Sequence, residues 1–292
     1  MNRKHIVFII NPKSGIERQK EIKQAIDQYL DKGLYSYEVL HTEFAKHGTK
    51  LAREAAINGA YAVVAVGGDG SVNDVVQGLM GTDTLLGIIP KGSGNGMART
   101  MHIPLDTVGA IKTINKGNTI KMDIGYANGH AFISNAGVAF DALISKKFAV
   151  SEKRGFWIYS WLVAKYMWLY RSLDWQITID GDRFTERAFM VNVANGQQFG
   201  YNLKIAPMAS FTDGLLDVII IRRFPKILGG LLIARARNGT IARSPYVRHI
   251  RGKEITLSHP LLSLMQTDGD AHVCGNSVTF TVAQGAQQVI VP

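Results

Sequence analysis

The chain has 292 residues, 46% of them apolar, enough to bury the core of one large or two ordinary domains and too apolar for disorder. Its 33 Lys and Arg against 23 Asp and Glu give a net charge of +10, which suits an acidic partner: a nucleotide, a nucleic acid or an anionic membrane surface. The single cysteine, Cys274, excludes a disulfide within the chain and a cysteine-based metal site, and fits a reducing cytoplasm; no run reaches 18 uncharged apolar residues, so any membrane contact is expected to be peripheral.

In chain order, HIVFII (5–10) is too short for a signal sequence, ends at Asn11-Pro12 and reads as a first strand. A helix is expected over 17–30, from the spacing of Ile22, Ile26 and Leu30, then a strand at 36–42 and a helix at 48–59 closed by Gly59. YAVVAV (61–66) is a strand, 71–80 a short helix, LLGIIP (85–90) a buried strand and 107–117 a helix. This alternation predicts a mainly parallel sheet covered on both faces. After about residue 120 the texture changes. KMDIGYAN, HAFISNAGVAF, WQITIDG, ERAFMVNVAN and LLDVIIIRR read as strands in near succession, followed by KEITLS, VTFTV and QQVIV. The helices expected among them are 156–170 and 225–239. The fold class is thus an α/β domain over 1–122 and an antiparallel β-sandwich domain over 123–292, with a cleft between them as the default place for a ligand.

Ligands of a parallel sheet bind beyond the carboxyl ends of its strands. Four polar loops follow the first four strands: NPKSG (11–15), His41-Thr42, GGDGSVND (67–74) and PKGSGNGMAR (90–99). Their glycines let backbone N–H groups approach an anion, and Ser71 is placed to cap the helix after it. Asn11, Ser14, Ser93 and Asn95 add neutral donors. Asp69 would repel a phosphate directly, but not through Mg²⁺, which takes hard oxygen ligands and bridges to phosphates. Taken singly, GGDG and NPKSG are turns and GSGNG a flexible loop; taken together they point to a nucleotide. GxxxxGK[ST] is absent, and GSGNG lacks the dinucleotide spacing.

NPKSG, GGDGSVNDVVQGL, PKGSGNGMAR, APMASFTDGLLDV and TDGD, in this order over nearly the whole chain, resemble the diacylglycerol kinase catalytic-domain superfamily. The resemblance is to its soluble bacterial lipid kinases, with sphingosine and ceramide kinases more distant. It implies a nucleotide-binding domain like that of NAD kinases and phosphofructokinases joined to a β-sandwich, and ATP- and Mg²⁺-dependent phosphorylation of a lipid hydroxyl. ATP contacts would fall on Asn11, Pro12, Lys13, Ser14, Gly15, Thr42, Gly67, Gly68, Asp69, Gly70, Ser71, Val72, Asn73 and Ser93. A structural Mg²⁺ would fall on Asp213 with the carbonyls of Ser210 and Leu215. The catalytic carboxylates would be Asp268, favoured as base or Mg²⁺ ligand, then Asp270, with Asp69 contributing. Asp123 in KMDIG matches an acidic position near the cleft. Residues from about 277 to the end return to the first domain in such relatives. Two positions depart from the pattern: Gly96 stands where lipid kinases carry an acid, and Asp270 where they carry Glu. The first leaves a diacylglycerol-type or a sphingoid-type acceptor open.

Residue types alone read Asp268-Gly269 as a hairpin turn. GFWIYSWLVAKYMWLYR (155–171), flanked by Lys153, Arg154 and Arg171, holds three of the four tryptophans and reads either as a lipid-facing helix or as a core helix. Residues 222–251 carry eight Arg and Lys, fitting anionic headgroups or a solvated face. The eight histidines show no metal-ligand spacing, and no nucleic-acid motif is present. A cytoplasmic enzyme transiently at a membrane surface is expected, and a homo-oligomer is not excluded. An NAD kinase-like phosphotransferase or a non-catalytic lipid- or nucleotide-binding regulator are the alternatives.

Overall fold

The computed structural model describes residues 3–12, 16–151, 156–198 and 203–292. The chain forms two compact units, Met1–Met122 with Gly285–Pro292, and Asp123–Gln284. The first contains β1 (Lys4–Ile10), α1 (Ile16–Tyr29), β2 (Tyr35–His41), α2 (His47–Ile57), β3 (Ala62–Gly67), α3 (Asp69–Leu79), β4 (Leu85–Pro90), α4 (Gly96–Thr100) and α5 (Thr107–Lys116). Its strands run parallel in the order β2–β1–β3–β4. Every residue of β3 and β4 is buried, which is why AVVAVG and LLGIIP are continuous apolar runs rather than alternating ones. Asp106 starts α5 by accepting the Gly109 N–H at 2.7 Å.

β5 (Thr119–Ala127) starts in the first unit and enters the second, which goes on with β6 (His130–Phe132), β7 (Asn135–Ala139), α6 (Phe140–Ala149), α7 (Phe156–Leu169), β8 (Leu173–Ile179), β9 (Asp182–Ala194), β10 (Leu216–Arg222) and α8 (Gly229–Arg237). It ends with β11 (Val247–Gly252), β12 (Glu254–Ser258), β13 (Leu264–Thr267), β14 (Asp270–Val273) and β15 (Ser277–Ile290), whose last residues, from Gly285 on, belong to the first unit. Pairing is antiparallel. The long β9 changes partners along its length: its first half pairs with β8, its second with β7 and β10. Trp175, Ile177, Val191, Val218, Leu257 and Phe280, from strands along this pairing, share one fully buried core. A second core on the outer side of β9 and β10 takes Phe189, Ile219 and Ile221 against α6, α7 and α8. β10 is therefore buried on both faces, which accounts for the continuous apolar run from Val218 to Ile221.

Several local expectations change. HAFISNAGVAF is two strands rather than one, because the N–H groups of Ile133 and Ser134 turn to the carboxylate of Asp268 instead of a ladder partner. Helix α6 was not foreseen, although Phe140, Ile144 and Phe148 stand at helical spacing. α4 and β11 were also missed. The expected helix 225–239 splits into a 3₁₀ turn at Lys226–Leu228 and α8. VTFTV and QQVIV are one strand: β15 pairs with β12 over Ser277–Thr281 and lies beside β4 at Val289, so pairing at both ends extends a polar middle that carries no strand signal. No helix among the described residues is long and apolar enough to cross a membrane.

Candidate active site

In the first unit the register aligns Ile10 with His41 and Val66, and Gly67 with Pro90. The loops after β1 to β4 thus leave one edge of the sheet. The Asn11 side-chain amide donates to Ser71 Oγ at 3.4 Å, and the Thr42 N–H donates to the Ile10 carbonyl at 3.0 Å. Asn11, Pro12, Thr42 and Ser71 line one recess of about 100 Å³ together with Phe44 and Asp74. Phe44 was not foreseen, and Asp74, within GGDGSVND, was not among the expected contacts; the signal for Phe44, 61% exposed and stacked on His47 with centroids 4.2 Å apart, is an aromatic two residues after the His41-Thr42 loop. Lys13, Ser14 and Gly15 lie outside the described residues, as do Lys153 and Arg154.

The two glycine loops touch through their backbones. A Cβ on Gly92 would stand 2.4 Å from Gly68 Cα, and the Lys91 N–H donates to the Gly67 carbonyl at 2.8 Å. Asn95, left-handed at φ 51°, closes the second loop by donating to the Gly92 carbonyl and accepting the Gly92 N–H, both at 2.8 Å. Ser93 stays exposed at its tip, and Gly96 opens α4. α3 begins at Asp69 with Gly68 in the capping position, so Ser71 is not the cap that its type suggested. Its N–H already donates to the Gly68 carbonyl at 3.0 Å and its hydroxyl meets Asn11. Val72 is buried and its N–H donates to the Gly68 carbonyl at 3.1 Å, and Asn73 accepts from Gln77 at 2.8 Å along the helix. The Asp69 carboxylate faces the start of α4, 3.4 Å from the Met97 N–H. Burial raises its pKa, opposed by the backbone N–H groups of Met97, Gly96 and Asn95. Gly92→Ala is expected to cost about 1–3 kcal/mol by forcing the loops apart, read as a lower thermal midpoint in calorimetry.

In the second unit Asp268 and Gly269 form the two-residue turn between β13 and β14, both at positive φ (47° and 94°). Asp268 is more than a turn residue. Its carboxylate accepts the N–H groups of Ile133, Ser134 and Asn135 at 2.6, 2.8 and 3.0 Å, and its own N–H donates to the Asn135 carbonyl at 2.8 Å. Burial pushes its carboxyl up to about 6 against those three donors, with a smaller push from Asp270. Asp270 itself is exposed at the start of β14.

Asp123 is fully buried and holds the neighbouring turn: its carboxylate accepts the Gly214 N–H at 2.7 Å and its N–H donates to the Phe211 carbonyl at 2.7 Å. The turn carries Ser210, Asp213 and Leu215, with Asp213 accepting the Leu215 N–H at 3.2 Å. No cluster of three His, Cys, Asp or Glu side chains stands among the described residues. The exposed Asp213 carboxylate and the carbonyls of Ser210 and Leu215 are instead an all-oxygen set, which fits a Mg²⁺ that keeps most of its waters. Asn195, not foreseen from the sequence, links this turn to the hairpin: its amide donates to the carbonyls of Asp123 and Ile133, both at 2.9 Å.

Beneath the hairpin lies a buried polar cluster. Asn192 and Gln266 donate to Asp141 at 3.0 and 2.8 Å and to Asn135 at 3.2 and 3.0 Å, and the Gln266 side-chain Oε1 accepts the Gly269 N–H at 2.7 Å. Burial pushes the Asp141 carboxyl up to about 7, the two amides opposing. The folded chain then keeps a proton that the unfolded chain releases near 3.8, so this contribution to stability is complete below about pH 4 and lost as pH rises through 7. The thermal midpoint is expected to fall across that window, and Asp141→Asn to flatten the fall by up to about 4 kcal/mol, measured by calorimetry from pH 4 to 8.

Comparison with known proteins bears on this geometry. The family model described as diacylglycerol kinase catalytic domain matches residues 5–127, and that of the YegS C-terminal NAD kinase beta sandwich-like domain matches 135–291. A protein of Chromohalobacter salexigens named as a YegS-like lipid kinase is 32% identical over 227 residues, 75% of this chain and 72% of that one. A diacylglycerol kinase of Staphylococcus aureus is 29% identical over 275 residues, 92% and 86% of the two chains. Two solved structures share the fold. A diacylglycerol kinase from Bacillus anthracis superposes with a TM-score of 0.73 at 22% identity, over 99% of this chain and 97% of that one. An NAD kinase from Archaeoglobus fulgidus in complex with ATP does so with 0.57 at 13%, over 98% and 93%. With an α/β unit on a parallel sheet, an antiparallel sandwich unit and both family models matched in order, the chain belongs to the diacylglycerol kinase catalytic-domain family in its YegS-like form.

Proposed function

We propose that this protein is an ATP- and Mg²⁺-dependent lipid kinase that phosphorylates a lipid hydroxyl of diacylglycerol or sphingoid type, working from the cytoplasm at a membrane surface. The observation that carries the reading, within this family, is the Asp268 hairpin: one carboxylate is tied down by three backbone N–H groups and so presents a second, Asp270, to solvent. That geometry favours Asp270 as the base and makes Asp268 the residue that positions it, reversing the order in which the sequence ranked them.

The glycine loops with Asn11, Thr42, Asn73 and Ser93, together with Lys13 to Gly15, would hold the ATP phosphates through backbone N–H groups and hydroxyls. Asp213 with the carbonyls of Ser210 and Leu215 would hold a structural Mg²⁺, while Asp69 would face phosphate across a second cation; bound Mg²⁺ supplies neutralisation of phosphate charge. Asp123 positions the Asp213 turn. Asp270 takes the proton of the lipid hydroxyl as its oxygen bonds to the γ-phosphorus, the bond to the bridging oxygen breaks and ADP leaves. Gly96, lacking a carboxylate, leaves more room at the acceptor than an acid would.

The test is transfer from γ-labelled ATP, with Mg²⁺, to mixed micelles of diacylglycerol, sphingosine, ceramide and monoacylglycerol, with NAD as a soluble control. Label in a lipid supports the proposal. Label on NAD alone, or ATP binding without transfer to any acceptor, overturns it.

A further inference from the structure

α7, FWIYSWLVAKYMWL, is apolar on every side, a pattern of helices buried all round or meeting lipid. One side packs: Leu162 is buried, and Tyr159, Val163, Tyr166 and Met167 lie against the same core as Phe140 and Phe189. The other side faces water. Trp157, Trp161 and Trp168 are 82%, 56% and 64% exposed. At 3.6 residues per turn, positions i, i+4 and i+11 fall within about 40° of one another, so the three indoles form one stripe opposite the packed side. Burial would select against that placement for three of the chain's four tryptophans.

The surroundings of the stripe are cationic. No Asp or Glu occurs from Phe156 to Leu173. Lys165 Nζ stands 4.8 Å from the Trp161 ring centroid. Trp168 borders a recess of about 610 Å³ whose charged lining is Arg171, Arg187, Arg223 and Lys226, with no carboxylate. Lys226 donates to the Tyr170 carbonyl at 3.1 Å, and Arg187 reaches Asp174 only at 4.0 Å. Arg171 and Arg223 pair with no carboxylate among the described residues. The chain beyond the recess is pressed onto α7: a Cβ on Gly229 would stand 2.4 Å from Met167 Sδ. Ile227, next after Lys226, is 83% exposed.

We propose that this face, the tryptophan stripe with the arginine recess at its end, docks the protein on an anionic phospholipid bilayer. The indoles sit at headgroup level, where tryptophan is favoured, and Arg171 and Arg223 meet lipid phosphates. Apolar insertion plus basic attraction is the pair of signals that stable peripheral binding takes. A second copy of the chain is a poorer occupant, because a two-fold interface would set each arginine recess against the same charged face. The inference deepens the lipid-kinase reading by naming where the substrate's membrane is met, and binding is tested without ATP.

Tryptophan fluorescence with vesicles reads it directly. With bilayers containing phosphatidylglycerol, emission shifts to the blue and brominated acyl chains quench it, while Trp175, 1% exposed, supplies the unquenched remainder. Pure phosphatidylcholine vesicles and soluble glycerophosphate produce neither change. Trp157→Ser/Trp161→Ser/Trp168→Ser lowers vesicle affinity, read by sedimentation, by about tenfold or more. Arg171→Glu/Arg223→Glu, which leaves the packed side untouched, lowers it by about tenfold as well. No quenching by anionic vesicles, unchanged affinity in the arginine variant, or a dimer in ultracentrifugation that the tryptophan variant dissociates would each overturn the proposal. Vesicle binding without phosphoryl transfer would sink the kinase reading and leave this face standing. Transfer to micellar lipid without vesicle binding would do the reverse.

Discussion

Asp270→Asn is expected to lower turnover by about 10²–10⁴-fold, the usual contribution of a general base, while leaving the thermal midpoint unchanged. Asp270 is exposed at the first position of β14, where asparagine is readily solvated. Asparagine keeps the shape and the ladder pairing with Thr267 but cannot accept the hydroxyl proton. The KM for ATP is expected to stay within about twofold, since base loss acts on the transition state rather than on nucleotide binding. The assay is labelled transfer to the best acceptor of the lipid panel, with differential scanning calorimetry on the same sample. Activity within tenfold of the parent would remove Asp270 from the chemistry.

Asp268→Ala is expected to fail differently, losing stability and turnover together. It leaves the N–H groups of Ile133, Ser134 and Asn135 without their carboxylate at 2.6–3.0 Å. Such stranded donors cost about 1–3 kcal/mol each, and relaxation and entering water reduce the sum, so an overall loss of about 3 kcal/mol is expected in denaturant titrations. Asp268→Asn separates the two roles. It keeps one acceptor oxygen and the left-handed turn, which asparagine tolerates, so it is expected to recover about half of that stability. If Asp268 only positions the hairpin, turnover recovers in step with stability; if it is itself the base, stability recovers and turnover does not.

The rim of the first unit was legible because each of its parts is local. AVVAVG and LLGIIP announce buried parallel strands, alternation with helices orders them, and glycine-rich loops after successive strands must then share an edge. What stayed hidden there is the direct backbone contact of Gly68 with Gly92, and the part of Phe44 and Asp74, since each depends on loops brought together from distant positions. Ser71 misled for a related reason: a serine before an apolar run suggests a cap, but α3 starts two residues earlier because the Gly68 carbonyl already accepts the N–H groups of Ser71 and Val72.

In the second unit the same limit is sharper. TDGD was visible both as a hairpin turn and as a carboxylate pair, and both are present. Which carboxylate is tied down was not readable, because the donors that occupy Asp268 lie more than 130 residues earlier, at Ile133 to Asn135. The buried cluster of Asn135, Asp141, Asn192 and Gln266 left no signature either, its members being scattered over four elements as ordinary polar residues. α7 was undecided between core and lipid, and the structure divides it, one side packed and one side bearing tryptophan.

By itself, then, the sequence determined the two fold types, the alternation of β1 to β4 with helices and the family. These rest on hydrophobic period, turn chemistry and motif order, all read within a few residues. Tertiary structure alone decided that Asp268 anchors while Asp270 is presented, that Asn195 joins the Asp213 turn to the hairpin, and that three tryptophans share one exposed stripe. Those depend on hydrogen bonds and burial between residues far apart in the chain, and no local pattern encodes which distant donor will fill a given carboxylate.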